Sequence, residues 1–320
     1  MSFALAITGP TASGKTALSF ALAEHFGCEI ISLDSMQIYK HMDIGTAKAT
    51  LSERERVRHH VIDFLSPNDS YSAEDYRTDA MAAVSDIESR GMLPLFVGGT
   101  GLYMDTVMRG SELFSPPSSE ELKARLLASA ATDEEREALW QRLREVDPAS
   151  AEKTHKNNVR RVVRALEIYE LTGKTKTYFD ELTRAAKPEI SVGMITLDFH
   201  NRDNLYSRVD LRVDQMMDEG LLDEVKSLIR DGYLGKGTTA AQAIGYKELI
   251  AYLDGECTLD EAVDQLKLST RRYAKRQLTW FRHNEGAKRL YVDREDGTMK
   301  DKDELTAELF TLADELLKER

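Results

Sequence analysis

Eight consecutive residues, Gly9-Pro10-Thr11-Ala12-Ser13-Gly14-Lys15-Thr16, carry the spacing G-x-x-x-x-G-K-T. Backbone N–H groups along such a run, together with the N-terminus of a following helix, form a cradle for phosphate oxygens. Gly9 and Gly14 allow the backbone its tight path, Lys15 is placed to neutralise the terminal phosphates, and the Thr16 hydroxyl is the usual first ligand of a magnesium ion carried by the substrate. That chemistry needs a strand before the run and a helix after it. Phe3-Ala4-Leu5-Ala6-Ile7 is an apolar strand candidate, and Ala17 to Phe26 is helix-forming. The run is therefore expected to be a phosphate-binding P-loop. The motif alone leaves open which phosphates it holds and what happens to them.

The elements that position further chemistry follow the alternation of an open parallel sheet. Glu29 to Leu33 predicts a second strand, ending at Asp34-Ser35-Met36-Gln37-Ile38-Tyr39. Carboxyl ends of strands in such sheets face the ligand crevice, so Asp34 is a candidate for chemistry beside the phosphates; on position alone it serves equally well as a turn or helix-cap aspartate. Val61 to Leu65 predicts a further strand, and Ser72-x-x-Asp75 predicts the start of a helix running to Arg90. Leu93 to Val97 predicts a buried strand that ends in Gly98-Gly99-Thr100-Gly101. A common NTPase or kinase would often place an aspartate there to hold magnesium or orient a water. Here two glycines permit close backbone approach, by a ligand or within a tight turn, and Thr100 offers a hydroxyl at the crevice mouth.

Residues 111–189 read as short amphipathic helices without a strand pattern, a helical insertion in the α/β domain. The expected division is 1–110, 111–189 and 190–320. Thr132-x-x-Glu135 predicts a capped helix through Val146. A helix from His155 to Thr172 carries Arg160, Arg161 and Arg164 in its first turns, either as a solvated charged face or as a phosphate-contacting one. Val192 to Leu197 returns to a strand. The helix from Arg202 to Glu219 sets Arg208 and Arg212 four residues apart, which suits a lid over a polyphosphate; pairing with Asp203, Asp210 and Asp214 is the alternative. A last long helix, capped by Thr258-x-x-Glu261, runs to about His283 and carries Tyr273, Trp280 and Phe281 among basic residues. Adjacent helical residues point apart, so one of Trp280 and Phe281 is free for base stacking unless a wide apolar face takes both.

The 320 residues suffice for a large α/β domain with an insertion and a well-buried core. Cys28 and Cys257 stand far apart, which suggests neither a disulfide framework nor a zinc site. The opening apolar run stops at the P-loop and no run approaches membrane-spanning length, so a cytoplasmic protein with no membrane partner is expected. A net charge of −12 argues against a nucleic-acid partner, yet its distribution does not. From Lys267 to Arg289 there are eight basic residues against the single acid Glu285, the footprint of a basic, aromatic-bearing face.

Taken together with Asp43-Ile44-Gly45-Thr46-Ala47-Lys48, Val97 to Tyr103, Arg212-Val213-Asp214-Gln215-Met216, Ile244-Gly245-Tyr246 and Lys275 to Arg282, these motifs span nearly the whole chain. In this order the chain resembles bacterial tRNA dimethylallyltransferases. The resemblance implies a P-loop NTPase-like parallel sheet flanked by helices, and transfer of a dimethylallyl group from its diphosphate to N6 of the adenosine just 3′ of the anticodon. It implies that the P-loop holds a diphosphate leaving group with Mg2+ at Thr16 and one or both of Arg208 and Arg212, that Asp34 is the general base, and that Thr100 contacts the substrate nucleotide. It also implies tRNA contacts, through the anticodon stem-loop, from Asp34, Ser35, Met36 and Gln37; from Arg160, Arg161 and Arg164; from Gln242, Gly245, Tyr246 and Lys247; and from Lys275, Arg276, Gln277, Trp280 and Arg282. A monomer is expected. A small-molecule P-loop kinase, an isopentenyltransferase acting on free adenine nucleotides, and a non-catalytic RNA-binding protein are the rival classes. The extended basic stretch favours a polymer over a mononucleotide.

Overall fold

The computed structural model describes residues 1–108, 116–185, 187–235 and 237–320. The chain divides into two compact units: Met1–Met108 with Ile190–Arg320, and Arg109–Glu189. The expected boundary after residue 110 falls outside the described residues.

The first unit begins β1 (Ser2–Thr8), α1 (Lys15–Phe26), β2 (Cys28–Leu33), α2 (Leu51–Arg56), β3 (His59–His60), α3 (Ala73–Ser89), β4 (Leu93–Gly98) and α4 (Gly101–Met108). The second holds α5 (Glu120–Ala128), α6 (Asp133–Val146), α7 (Pro148–Glu152), α8 (Val159–Thr172) and α9 (Lys176–Ala185). The first unit then resumes with β5 (Ile190–Asp198), α10 (Arg202–Asp218), α11 (Leu221–Arg230), α12 (Tyr246–Leu253), α13 (Leu259–Arg282), β6 (Lys288–Tyr291) and α14 (Lys302–Lys318).

The six strands among the described residues pair in parallel, in the order β3-β2-β4-β1-β5-β6. β1 lies between β4 and β5, and Ala4, Leu5, Ala6 and Ile7 are wholly buried, as a strand covered on both faces requires. Its alternate side chains serve different cores. Leu5 and Ile7 pack with α1, α10, α13 and α14, whereas Ala4 and Ala6 pack with α3 and α4. A third cluster joins Ile38 and Met42 to α10, α11, α12 and α13. The helical unit closes over Leu122, Leu126, Leu139, Leu143, Val162 and Leu166.

One expected strand is displaced. The strand beside Ile30 and Ile31 is His59–His60, while 61–65 makes only an isolated parallel bridge, Leu65 to Tyr39. Val61 and Asp63 take φ of 55° and 59°, which breaks the extended path. Asp63 is drawn instead to Lys48 (2.8 Å) and Arg54 (2.9 Å), and Lys48 is buried with a second carboxylate, Asp43, at 2.6 Å. The helix expected from His155 starts later, at Val159, after a turn in which Asn158 N–H donates to the His155 carbonyl (2.8 Å).

Candidate active site

β1 delivers the chain to the P-loop, and Gly14, at φ 93°, turns it into the first residue of α1. Lys15 Nζ donates to the Gly9 and Pro10 carbonyls at 3.0 and 2.6 Å, closing the loop on itself. Ser13 is buried, and its hydroxyl has no hydrogen-bond partner among the described residues. A buried donor without a partner costs about 1–3 kcal/mol, so a loop that keeps one is built for an acceptor arriving from outside. Residues Thr11 to Thr16 line a cavity of about 780 Å³, and Asp34, Ser35, Met36 and Gln37 line it from the end of β2.

Helix α10 divides its charges by face. Arg208 and Arg212 line the cavity, and Arg208 Nε donates to the Ala12 carbonyl at 2.7 Å. Asp210 and Asp214 pair across to α13 instead, with Arg271 (2.6 Å) and Lys267 (2.6 Å). Two of the three acids expected as possible partners of the arginines, Asp210 and Asp214, are therefore engaged elsewhere, and both guanidinium groups stay turned to the cavity. Burial lowers the affinity of each for its proton, with Asp34 opposing that effect at Arg212.

Electrostatics concentrate on Lys15 and Asp34. Burial and the neighbouring Arg212 bring Lys15 down to about 7, against the attraction of Asp34. Burial pushes the Asp34 carboxyl up, although Met36 and Gln37 N–H donate to its Oδ1 (2.8 and 3.4 Å) and Lys15 and Arg212 lie near. A carboxylate with raised proton affinity beside concentrated cations is the pattern of a base facing an anion. A bound polyanion restores the Lys15 proton, so the loop takes up a proton on binding. Relative to Lys15→Arg, which cancels the titration of diphosphate itself, affinity for inorganic diphosphate is thus expected to be unchanged below about pH 7 and to fall above it by up to about tenfold per unit. Calorimetry in buffers of different ionisation enthalpy, with Lys15→Arg as the always-charged control, reads this uptake; the same pH dependence in both proteins would contradict it.

The remaining expected site residues separate into two groups. Gln242, Gly245, Lys247 and Arg276 line the cavity. Thr100, Tyr246, Trp280, Lys275 and Arg282 do not. The Thr100 hydroxyl accepts the Ser35 N–H (3.2 Å), holding the turn that carries Asp34. Tyr246 is wholly buried, and its hydroxyl donates to Glu224 (2.6 Å), which also accepts the N–H groups of Asp43, Ile44 and Gly45 at 3.0, 2.7 and 3.1 Å. Trp280 is half-buried, edge-on to the buried Phe281. Arg282 is a fork on the buried Asp198, Nη2–Oδ1 2.6 Å and Nε–Oδ2 2.9 Å. In the helical unit, Arg164 is spent on the Pro116 and Pro117 carbonyls and on buried Glu167, while Arg160 and Arg161 are exposed.

Gln277 also turns inward. It is buried, its Oε1 accepts the Thr11 N–H and its Nε2 donates to the Gly99 carbonyl, each at 2.9 Å. The close approach at Gly99 is thus made by this side chain. Two residues, Tyr273 and Glu224, were given no site role by the sequence reading. Tyr273 lines the cavity beside Thr100 and Gln277; its place one turn before Gln277 was the available signal. Glu224 had none, since the three N–H groups it accepts lie about 180 residues away and Tyr246, 22 residues on, shares no helical spacing with it.

The family model described as IPP transferase matches residues 37–284. The chain belongs to this family. It is 44% identical to the tRNA dimethylallyltransferase of Caldanaerobacter subterraneus subsp. tengcongensis over 90% of the chain and 91% of that relative. It is 48% identical to the tRNA dimethylallyltransferase of Anoxybacillus flavithermus over 87% of the chain and 86% of that relative. Among solved structures, the full-length tRNA isopentenylpyrophosphate transferase of Bacillus halodurans superposes with a TM-score of 0.72 at 42% identity, covering 99% of this chain and 97% of that one. A eukaryotic dimethylallyltransferase described as acting on tRNA superposes with a TM-score of 0.73 at 33% identity, covering 88% of this chain and 70% of that one.

Proposed function

We propose that this transferase moves a dimethylallyl group from dimethylallyl diphosphate to N6 of the adenosine 3′-adjacent to the anticodon in tRNA. The observation that carries this reading is the meeting, in one cavity, of an anion-binding loop with Lys15, Arg208 and Arg212 and a half-buried carboxylate, Asp34, of raised proton affinity. In the reaction the C1–O bond to diphosphate breaks, the C1–N6 bond forms, and Asp34 takes the amine proton. The charge left on diphosphate meets loop N–H groups, Lys15 and the two arginines, which stabilises the leaving group where its charge develops. No water has to be aimed, which suits a strand end of Gly98 and Gly99 with no carboxylate.

Magnesium suits the same place. Thr16 is exposed on the first turn of α1 and lines the cavity, and Ser13 adds a second hydroxyl with no partner among the described residues. No group of three His, Cys, Asp or Glu suited to a metal occurs among the described residues, so such an ion would take its other oxygens from diphosphate and water. Its contribution when bound is further neutralisation of the leaving group.

The RNA surface is smaller than the basic run implies. Lys267, Arg271, Arg282 and Lys288 are tied to carboxylates. Arg272, Lys275 and Arg276 are exposed and carry no ion pair among the described residues. These three are the cations proposed to meet RNA phosphates, together with the cavity-lining Lys247, whose own carboxylate, Glu248, stands at 3.6 Å. Unstacking the target adenosine costs roughly a few kcal/mol, less in a single-stranded loop than in a duplex, which favours an anticodon loop. No described helix is long and apolar enough to cross a membrane.

Mass spectrometry of nucleosides tests the proposal. Unmodified tRNA incubated with the protein, magnesium and dimethylallyl diphosphate is expected to yield prenylated adenosine, with no product from AMP in parallel. Product from AMP alone, or from neither acceptor, would overturn it.

A further inference from the structure

We propose that Gln277 is a positioning residue that couples RNA docking on α13 to diphosphate binding at the P-loop. The inference rests on the transferase reading above and deepens it. Gln277 is 6% exposed, and its amide spans two segments, taking the Thr11 N–H and donating to the Gly99 carbonyl, both at 2.9 Å. A flipped amide would set donor against donor and acceptor against acceptor, so the two partners fix its orientation. The ends of β1 and β4 are thereby linked through α13.

The seating of that helix leaves no slack. A methyl at Gly99 would lie 2.1 Å from Gln277 Nε2, and one at Gly101 would lie 2.3 Å from the Trp280 ring. Any displacement of α13 therefore moves the amide directly. Immediately beyond Thr11, Ala12 is held at φ 62°, a conformation that a non-glycine residue keeps only where its surroundings enforce it. Two side chains do so, Gln277 at the Thr11 N–H and Arg208 at the Ala12 carbonyl. The same α13 exposes Arg272, Lys275 and Arg276, and Arg276 also lines the cavity. RNA that fixes α13 thus fixes the loop in its anion-binding form, and a preorganised loop binds more tightly. By linkage, diphosphate raises RNA affinity by the same factor.

Titration calorimetry of inorganic diphosphate with magnesium, with and without a saturating anticodon stem-loop RNA, tests the coupling. The parent protein is expected to bind diphosphate at least about 5-fold more tightly when RNA is present. Gln277→Met keeps the volume and loses both bonds; its coupling factor is expected near unity, with RNA affinity in the absence of diphosphate changed by less than about 2-fold. Gln277→Glu keeps the acceptor for Thr11 and sets an oxygen against the Gly99 carbonyl, so it is expected to lose part of the coupling. Independent binding in the parent, or full coupling retained in either variant, overturns the proposal and leaves the transferase reading standing. A parent that binds neither ligand overturns both.

Discussion

Replacing Asp34 by asparagine is expected to lower kcat by about 10²–10⁴-fold while diphosphate and RNA binding persist. Asparagine keeps an oxygen for the Met36 and Gln37 N–H groups, so the turn after β2 survives and only the basicity is removed. Burial raises the proton affinity of the native carboxyl, which strengthens it as a base and moves the acid limb of the kcat–pH profile above the range of an ordinary aspartate. Below that limb Asp34 is protonated and turnover falls; above it the base is free. Single-turnover kinetics with saturating RNA would show both effects. Activity in the variant within about 3-fold of the parent would remove Asp34 from proton transfer.

Arg282→Ala is expected to destabilise the fold by about 3 kcal/mol, because it strands the Asp198 carboxylate in the interior. Asp198 is wholly buried at the end of β5, and Arg282 gives it two hydrogen bonds while a third reaches the Phe199 carbonyl (3.1 Å). Arg282→Lys offers a single point charge to a site shaped for a fork and is expected to recover only part of the loss. Arg276→Ala should behave oppositely. It lies exposed on the cavity side of the same helix, so unfolding stability should change by less than about 0.5 kcal/mol, while the salt slope of RNA binding should drop by about one. Denaturant melts and RNA titrations over a range of salt separate the two arginines. Equal melting of parent and Arg282→Ala would contradict the structural role.

That contrast shows where the sequence was readable. The P-loop, the strand before it and the helix after it are local patterns, as are the capping boxes at Ser72, Thr132 and Thr258, and each formed as its spacing predicts. The parallel sheet followed from the alternation of those elements. Residues in the last long helix were a different matter. Lys275, Arg276, Gln277, Trp280 and Arg282 look alike as a basic, aromatic run, yet their fates depend on partners far along the chain. Gln277 meets Thr11 across 266 positions, and Arg282 meets Asp198 across 84. Local periodicity does not encode such pairings. Val61 to Leu65 failed for a related reason, since an apolar run resembling a strand is bent by the ion pairs of Asp63 with Lys48 and Arg54. In the site, Asp34 was legible as the residue ending a strand, whereas its raised proton affinity needed the surrounding burial, which no motif states.

The P-loop is proposed to hold a leaving group that departs only when an RNA amine attacks. Diphosphate release from dimethylallyl diphosphate, followed with and without unmodified tRNA, tests it most directly. Release is expected to require RNA and to match prenylated adenosine one for one, with ATP unconsumed. Release at the same rate without RNA, or orthophosphate formed from ATP in step with turnover, would contradict it.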